Sequence, residues 1–377
     1  MTQKNVSLSE LLNETRLSSG CGPGGDFGLS CGVFGLSSGN GLPEGGFGLS
    51  AGPVSGAHTL CLMERVMSRG GVMLNGGRRY AAAAALATAI GLAVIPDACA
   101  APLDIGAGQT SANLTVDAGN NNPMNVFDGG VANDMTIGSG GSLCVYNGGI
   151  VADTYINNGG GLYVSTGGAA TATTINNGGM QHVSSGGIVA ETNINSGGEG
   201  FVSSGGVASA TNLNSGGWQR VASGGVAINT TINNGGHQNV LDNGRVSGTN
   251  INNGGVQSAY SAGSAIGTHI GNGGVQSVYA SGSAIGTVIS NGGHQNVYNN
   301  GVTIGTAISS GGAQHVYSNG IASGTTINSG GAFFVSSGGS TVNITVNNGG
   351  AMKVENGVTV NMSGANIIKD GGELLIF

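Results

Sequence analysis

Branched aliphatic residues recur every 19 positions along most of this chain, with small and polar residues between them. One column of such positions runs from Ile137 to Val346, and all twelve of its members are Ile, Leu or Val. A second column runs from Val126 to Val354, where Ala259 is the one exception to Val among thirteen positions. A constant period of this length, without an insertion, predicts a repeat architecture in which each copy packs against the next.

Each repeat predicts two short strands. The stretch "TTINNGGMQHVSSGGIVAETNINSGG", from Thr173 to Gly198, alternates apolar and polar residues and closes each segment with Gly, Asn or Ser. A period of two is typical of β-strands, and glycine clusters favour turns with positive φ. Because so short a phrase cannot bury its apolar face alone, copies must stack in parallel about 4.8 Å apart. We therefore predict an all-β parallel β-helix (β-solenoid) of 19-residue turns. Val183 and Ile194 should point inward, with Gly-Gly pairs at the corners.

Two polar columns are also predicted to lie inside. Thr occurs two positions before the Ile column in ten consecutive repeats, Thr192 among them, and Met135 and Ile344 flank this run. Gln occupies seven positions of another column, including Gln238 and Gln257, and Met, Leu or Phe replace it in other repeats. A buried amide must find a partner, so we expect the Gln side chains to hydrogen-bond along the axis. This ladder is predicted to be structural and not a binding site.

Composition narrows the class of protein. The chain has 377 residues, with 78 Gly, 6 Pro and only 7% charged residues, against about 25% charged in average proteins. So little Pro excludes collagen, and disordered chains are usually richer in charge. The net charge of −7 argues against nucleic acid as a partner, because phosphate binding requires clustered Lys and Arg. The five cysteines form no CxxC pair and no His lies at zinc-finger spacing, so we expect no cofactor or metal.

The first hundred residues predict an export signal behind a leader. Residues 1–62 are low-complexity, with three copies of FGLSxG, and no function can be assigned to them. Residues 63–100 contain four Arg, an apolar run from Tyr80 to Ile95, and the small-residue end "PDACA". That order is typical of a secretory signal peptide, with cleavage before Ala101. The alternative is a membrane anchor, but a span needs about 20 apolar residues and this run is shorter.

The repeated phrase resembles a known family. "GGxQxVxSGGxAxxTxINxGG" is similar to the 19-residue repeats of the diffuse-adherence (AIDA-type) autotransporter adhesins and their self-associating relatives, and the match covers residues 124–357. The resemblance implies a right-handed parallel β-helix passenger at the cell surface, which mediates adhesion and cell-to-cell aggregation. It also implies that Ser and Thr within the repeats are candidates for heptosylation.

Domain boundaries follow from the repeat and the resemblance. We expect a capping segment at residues 101–123, the β-helix at 124–357 and an incomplete terminal repeat at 358–377. Members of the resembled family end in a β-barrel translocator, and no such segment follows the repeats in this sequence. The protein is therefore expected to be exported and to associate with the outer membrane only through a translocator that is not present in this chain.

Three functions are weighed for such a rod. A cell-surface adhesin would bind its own copies and glycans or proteins of a host or neighbouring cell, whereas an inert filament or coat protein would use the same repeats. The least favoured function is a β-helix enzyme acting on polysaccharides. Asp134 and Asp153 lie one repeat apart, with Glu191 in the same column, but no cationic side chain accompanies them. His237 and His294 share a column three turns apart, too far to share a metal. We expect an adhesin passenger and no catalysis.

A column of tyrosines is the candidate contact surface. The position after the Val column alternates outward, and Tyr260, Tyr279, Tyr298 and Tyr317 occupy it on four consecutive turns. Tyr offers a large contact area with a polar tip, as binding surfaces favour. The hypothesis is that this stripe makes self-association or glycan contacts. The alternative is that the rings only stiffen the sheet by stacking.

Overall fold

The computed structural model describes residues 102–355 and 361–376, which form a stack of turns. Each turn contributes one strand to each of three sheets, named sheets A, B and C. The described residues contain strands and turns and no helix, and so no helix long and apolar enough to cross a membrane. The predicted leader at 1–62 and signal region at 63–100 lie outside the described residues.

The strands are short and differ in length between the sheets. Sheet A has fifteen strands: Leu103–Ile105, Met124–Val126, Ser142–Val145, Gly161–Val164, Met180–Val183, Glu199–Val202, Trp218–Val221, His237–Val240, Val256–Ala259, Val275–Val278, His294–Val297, Ala313–Val316, Ala332–Val335, Ala351–Val354 and Glu373–Ile376. Sheet B has fourteen: Thr110–Ala112, Val131–Asn133, Ile150–Ala152, Ala169–Thr171, Ile188–Ala190, Val207–Ser209, Val226–Ile228, Arg245–Ser247, Ser264–Ile266, Ser283–Ile285, Val302–Ile304, Ile321–Ser323, Ser340–Val342 and Asn361–Ser363. Sheet C also has fourteen: Thr115–Val116, Thr136–Ile137, Tyr155–Ile156, Thr174–Ile175, Asn193–Ile194, Asn212–Leu213, Thr231–Ile232, Asn250–Ile251, His269–Ile270, Val288–Ile289, Ala307–Ile308, Thr326–Ile327, Thr345–Val346 and Ile367–Ile368.

The pairing of strands confirms the predicted parallel β-helix of 19-residue turns. Val183 pairs with Val202 in sheet A, and Ile194 pairs with Leu213 in sheet C, each with its counterpart 19 residues later. The two end turns are longer. Leu103 pairs with Met124, an offset of 124 − 103 = 21, and Ala351 pairs with Glu373, an offset of 373 − 351 = 22. Residues of the predicted cap, 101–123, thus contribute strands to all three sheets.

The prediction of two strands per repeat was wrong, because each turn has three. The second predicted segment is divided at the residue before the Thr column. Glu191 occupies this corner with a left-handed φ of 56°, between strands Ile188–Ala190 and Asn193–Ile194. Ala172 and Asn229 adopt the same conformation in the same column, with φ of 50° and 54°. A left-handed residue turns the chain sharply, which separates sheet B from sheet C.

The core is a narrow prism filled by five inward positions per turn. In the turn around Glu191 these are Gln181, Val183, Val189, Thr192 and Ile194, each at most 3% exposed. The aliphatic columns supply the hydrophobic stabilisation, at about 1.5–3 kcal/mol for each fully buried Val, Leu or Ile side chain. Because every copy repeats the same positions, like side chains stack on like along the axis.

The Gln column forms a continuous hydrogen-bonded chain inside this core. Gln257 donates to Gln238 at 2.7 Å, and the amides of Gln219, Gln276, Gln295 and Gln314 continue the chain at 2.6–2.8 Å. Thr hydroxyls donate to the Gln oxygens eleven residues earlier, as Thr268 does to Gln257 at 3.2 Å. The amides therefore satisfy one another in the core, as buried polar groups require.

The chain of amides is incomplete where another residue replaces Gln. Thr154 and Thr173 are fully buried, and their hydroxyls have no partner, because the residues eleven positions earlier are Leu143 and Leu162. The amide nitrogen of Gln181 lacks an acceptor for the same reason, since Leu162 lies one turn before it. The central repeats, from Gln219 to Gln314, thus have a satisfied polar core. The repeats on either side have a more apolar one, with Leu143 and Leu162 before it and Phe333 and Met352 after it, and each side keeps unsatisfied hydroxyls, Thr341 on the C-terminal side.

The Gly-Gly pairs lie at corners, as predicted. Gly178 has φ +73°, and a Cβ on Gly179 would lie 2.6 Å from the carbonyl oxygen of Ile156 in the preceding turn. The first glycine provides the left-handed turn and the second allows close approach of successive turns. The pair therefore sets the tight corner between sheets C and A.

Candidate contact surface

The tyrosine column lies on the outside of the rod, directly after the strands of sheet A. The backbone N–H of Tyr279 donates to the carbonyl of Ala259 at 2.9 Å, which holds it in the ladder between turns. Its ring packs on Tyr298 with centroids 4.9 Å apart, and Tyr298 packs on Tyr317 at 4.6 Å. Tyr279 is 37% exposed, and Tyr260 lies one turn before it, partly exposed. The rings of Tyr279, Tyr298 and Tyr317 form a stack along the axis.

The stacking decides which part of each ring faces solvent. The ring planes of Tyr279, Tyr298 and Tyr317 differ by only 6–8°, so successive rings cover each other's faces. What remains exposed is a row of ring edges. Burial raises the pKa of the Tyr298 hydroxyl above its usual value, and electrostatic interaction with Tyr317 and Tyr279 raises this pKa further. The Tyr298 hydroxyl therefore stays protonated at neutral pH and can both donate and accept hydrogen bonds.

A second aromatic group, not predicted from the sequence, adjoins this stack. His315 stacks on Phe334 with centroids 4.4 Å apart and lies 6.0 Å from the ring of Tyr317. The Lys353 ammonium lies 5.1 Å from the centroid of Phe334, a cation–π contact. These residues occupy the outward position between the Gln and Val columns. Aromatic residues at one position in neighbouring turns are the sequence signal that reveals them.

We call Tyr260, Tyr279, Tyr298, Tyr317, His315, Phe334 and Lys353 the aromatic stripe. Burial lowers the pKa of His315, and the nearby His294 lowers it further. His315 is therefore neutral at neutral pH, and Lys353 supplies the one basic side chain of the stripe, at its C-terminal end.

A smaller stack occupies the same face near the N-terminal end. His182 lies between Tyr163 and Phe201, with centroid distances of 5.2 and 4.7 Å. Burial lowers the pKa of His182. Further along, the ring of His237, one of the histidines considered for metal binding, stacks on Trp218 at 4.8 Å. Histidines on this sheet thus serve as stacking partners.

The acidic column lies at the corner between sheets B and C. Asp134, Asp153 and Glu191 are exposed there, with left-handed φ of 54°, 51° and 56°. Short polar side chains tolerate this conformation well. Among residues 102–355 and 361–376 no group of three or more His, Cys, Asp and Glu has an arrangement that could hold a metal. The position of these carboxylates is explained by the turn.

Comparisons with known proteins agree with this geometry. A family model described as an adhesin of the bacterial autotransporter system, probable stalk, matches residues 126–179 and 195–255. The chain is also similar to the crystal structure of a TibC-catalysed, hyper-glycosylated TibA fragment, with 40% sequence identity and a TM-score of 0.69. The aligned residues cover 71% of this chain and 97% of the fragment. The chain belongs to the AIDA family of autotransporter adhesins. A search of curated proteins found no match for this AIDA-family chain.

Membership of the AIDA family identifies the rod as a passenger domain of a cell-surface adhesin. The stalk described for the family corresponds to the solenoid itself, since the matched residues lie within its regular turns. The AIDA-type repeat thus accounts for the 19-residue period, the stacked columns and the scarcity of charge.

Proposed function

We propose that this passenger is a non-catalytic adhesin whose aromatic stripe contacts glycans on a host or neighbouring cell. The observation that carries the proposal is the continuous stack of Tyr279, Tyr298 and Tyr317 on the outer face of sheet A. The stack presents ring edges and phenol hydroxyls at each turn, about 4.8 Å apart. Such a row offers repeated hydrogen bonds to a hydroxyl-rich polymer, and each contact alone is weak.

The lysine at the end of the stripe supports a glycan as partner. Lys353 adds a cation next to Phe334, which suits sugars that carry a carboxylate. Many weak contacts along a rod add up when the partner is also a repeating polymer, because each further contact forms at high effective concentration. The geometry therefore favours an extended glycan over a compact ligand.

Export and anchoring belong to the same proposal. We propose that residues 63–100 direct export, that the mature chain begins at Ala101, and that a translocator outside this chain places the rod at the cell surface. An intact-mass measurement on exported protein tests the cleavage site. A mass that includes residues 63–100 would contradict it.

Glycosylation of the rod itself is a separate proposal. The TibA fragment of the related crystal structure is hyper-glycosylated, and this chain exposes hydroxyls at the corner between sheets A and B. Thr166, Ser185, Ser204 and Ser223 occupy that corner on four consecutive turns, with left-handed φ of 42–51°. We propose these as sugar acceptors. Peptide mass mapping of protein expressed with a glycosyltransferase tests it, and sugars confined to other positions would contradict it.

The adhesion proposal is tested by changing Tyr260, Tyr279, Tyr298 and Tyr317 to Ser. Ser occurs in this column at Ser184, Ser203 and Ser336, so the fold should be retained. Cells that display the variant should adhere less well than cells that display the parent, both to glycan-coated surfaces and to host cells. The control changes Phe127 and Tyr146, a stacked pair in the same column at 5.4 Å, and should adhere like the parent.

Two outcomes would contradict the proposal. A folded, displayed quadruple variant that adheres as well as the parent would place the contact elsewhere. A displayed parent that adheres to no glycan or cell surface would favour the inert filament.

A further inference from the structure

The corner between sheets C and A carries a row of backbone hydrogen bonds that join successive turns. At this corner the N–H of the first glycine in each Gly-Gly pair donates to the carbonyl of the first glycine in the next pair, as Gly178 does to Gly197 at 2.9 Å. In the part of the chain that the structure describes, the donors from Gly140 to Gly349 follow this rule with two exceptions. The N–H groups of Gly254 and Gly273 have no hydrogen-bond partner.

Both exceptions belong to Asn-Gly dipeptides at the surface. Asn253 and Asn272 directly precede the two glycines, are exposed, and have left-handed φ of 36° and 47°. Within residues 102–355 and 361–376, neither Asn side chain forms a hydrogen bond. A Cβ at Gly273 would meet nothing within 4 Å, and one at Gly254 would come no closer than 3.4 Å to another atom, the side-chain oxygen of Asn234. The peptide that links each Asn to its Gly is therefore held by no bond to the next turn and has room to rotate.

We propose that Asn253 and Asn272 are sites of deamidation through a cyclic imide. The backbone nitrogen of the following glycine gives its proton to a solvent base and attacks the side-chain Cγ of Asn. The bond from Cγ to Nδ2 breaks, and ammonia leaves after taking a proton from water. Water then opens the imide ring, at Cγ to give Asp or at the main-chain carbonyl to give isoaspartate. Each conversion consumes one water and releases one ammonia, with no oxidant or reductant.

A neighbouring Asn-Gly shows why the structure selects these two sites. Asn291 is exposed, has a left-handed φ of 50° and is also followed by two glycines, but the N–H of Gly292 donates to the carbonyl of Gly311 at 2.8 Å. Attack on Cγ requires this nitrogen to leave its hydrogen bond and lose its proton, so the bond protects Asn291. Glycine has no side chain to hinder the attack at any of these dipeptides. Their intrinsic reactivity is thus the same, and the hydrogen bond makes the difference.

Conversion weakens the middle of the rod. Asn253 and Asn272 lie one turn apart, so two carboxylates about 4.8 Å from each other replace neutral amides, and like charges at this distance repel. Isoaspartate carries the main chain through Cβ, which lengthens it by one atom at the corner between Ile251 and Val256. The paired strands on either side of the corner then lose their common register. This weak point develops with time, and it is independent of the proposed glycan adhesion.

The test is peptide mass mapping of the purified full chain during incubation in mildly alkaline buffer. In the folded chain, Asn253 and Asn272 should convert about tenfold or more faster than Asn291 and Asn177, equivalent to about 1.4 kcal/mol. Labelling with an isoaspartyl methyltransferase distinguishes isoaspartate from Asp. In water enriched in heavy oxygen, each converted residue should take up the label. Conversion should accelerate as the pH rises, because the glycine nitrogen attacks after losing its proton.

An unfolded control separates structure from sequence. In the chain unfolded by urea, the rates at Asn253, Asn272, Asn291 and Asn177 should converge, because no hydrogen bond then protects any of the glycines.

The stability readout uses a variant in which Asn253 and Asn272 are both changed to Ser, which this column already contains at Ser196 and Ser215. After incubation the parent should unfold at a lower urea concentration than the fresh protein, whereas the double Ser variant should keep its midpoint. The matched control, Asn291→Ser, should lose stability with time as the parent does. Circular dichroism of the fresh proteins shows that each variant is folded.

Three results would overturn the proposal. The first is conversion of Asn291 or Asn177 in the folded chain as fast as that of Asn253 and Asn272. The second is the same ranking of rates in urea, which would place the cause in the local sequence. The third is complete conversion of both residues with an unchanged unfolding midpoint, which would show that the corner tolerates the product.

Discussion

The side-chain amide of Gln276 donates to the side-chain oxygen of Gln257, one turn earlier, at 2.6 Å, and both side chains are fully buried. Gln257 in turn donates to Gln238 at 2.7 Å and accepts from Thr268 at 3.2 Å. One residue therefore takes part in three hydrogen bonds that cross between turns. The hydrogen-bonded chain of amides in the core therefore depends on each Gln having another Gln in the turn before it and in the turn after it.

Replacing Gln257 by Leu is expected to destabilise the rod by about 1–3 kcal/mol, because the buried Thr268 hydroxyl loses its acceptor and Gln238 and Gln276 each lose one hydrogen bond. The matched control is Gln181→Leu. Its amide nitrogen already lacks a partner, and its oxygen accepts one long bond, from Thr192 at 3.4 Å, so this change removes one hydrogen bond where Gln257→Leu removes three, and it should cost less. Urea unfolding followed by far-UV circular dichroism compares the midpoints. Equal midpoints for the two variants would contradict the structural role of the ladder.

The unsatisfied hydroxyls predict a change that stabilises the protein. Thr154→Val and Thr173→Val remove buried hydroxyls without a partner, so each should raise the free energy of unfolding by up to about 1 kcal/mol, a part of the cost of leaving such a group unpaired. Thr268→Val has the same shape change but removes the bond to Gln257, and it should lower stability. Thermal unfolding midpoints measure both. A fall for all three variants would show that the two orphan hydroxyls find partners in solution.

The two positions of a Gly-Gly pair should respond differently to Ala, as shown by the second glycine of one pair, Gly179, and the first glycine of the next pair, Gly186. Gly179→Ala places a Cβ 2.6 Å from the carbonyl oxygen of Ile156, and such overpacking costs about 1–3 kcal/mol or more. Gly186→Ala meets nothing within 4 Å but has φ +80°, so only the left-handed strain of about 1–2 kcal/mol applies. Gly179→Ala should therefore unfold at the lower urea concentration. The reverse order would mean that backbone strain, not contact between turns, limits the corner.

The stacked histidines predict loss of stability in acid. Burial lowers the pKa of His182 in the folded chain, whereas the unfolded value is about 6.5. The unfolded chain therefore binds more protons below that pH, and the stabilisation present above about pH 6.5 is lost as the pH falls below it. His182→Phe, with Phe201 already in this column, should reduce the fall in unfolding midpoint between pH 7.5 and pH 5. Because burial and not a surface charge causes the effect, it should persist in 1 M salt, where the Debye length is about 3 Å. An unchanged pH dependence in the variant would contradict it.

Most of the fold follows from the spacing of residues in the sequence. The positions of Val183 and Ile194 repeat without error, and one inward face per strand then places Thr192 and Gln257 inside as well. The third strand was missed because its corner is defined by backbone conformation. Glu191, Ala210 and Gly267 occupy that corner in different turns with the same left-handed φ, although one side chain is charged, one is apolar and one is a hydrogen atom.

The outer surfaces were only partly predictable. The tyrosine column was visible because one residue type fills four turns, but Phe334 and His315 stack between adjacent turns in a column of mixed residue types. The exposed side chains of Ile266, Ile285 and Ile304 on sheet B were missed for the same reason, since Ser247 precedes them and Ser323 follows them in the column. Outward columns are not constrained by packing. Their residue types vary from turn to turn, and the structure shows which of the outward side chains lie together.

The parallel pairing of successive turns has a mechanical consequence. The hydrogen bonds between turns, such as that from Thr174 to the carbonyl of Thr154 at 2.8 Å, run along the long axis of the rod. A pulling force between the ends of the solenoid loads these bonds directly, and the outermost turn opens before the turns behind it. Opening one 19-residue turn replaces about 5 Å of rod by an extended chain of about 65 Å. Single-molecule stretching should therefore show repeated steps of about 60 Å. An attachment made by such a rod lengthens under flow, turn by turn, before it breaks.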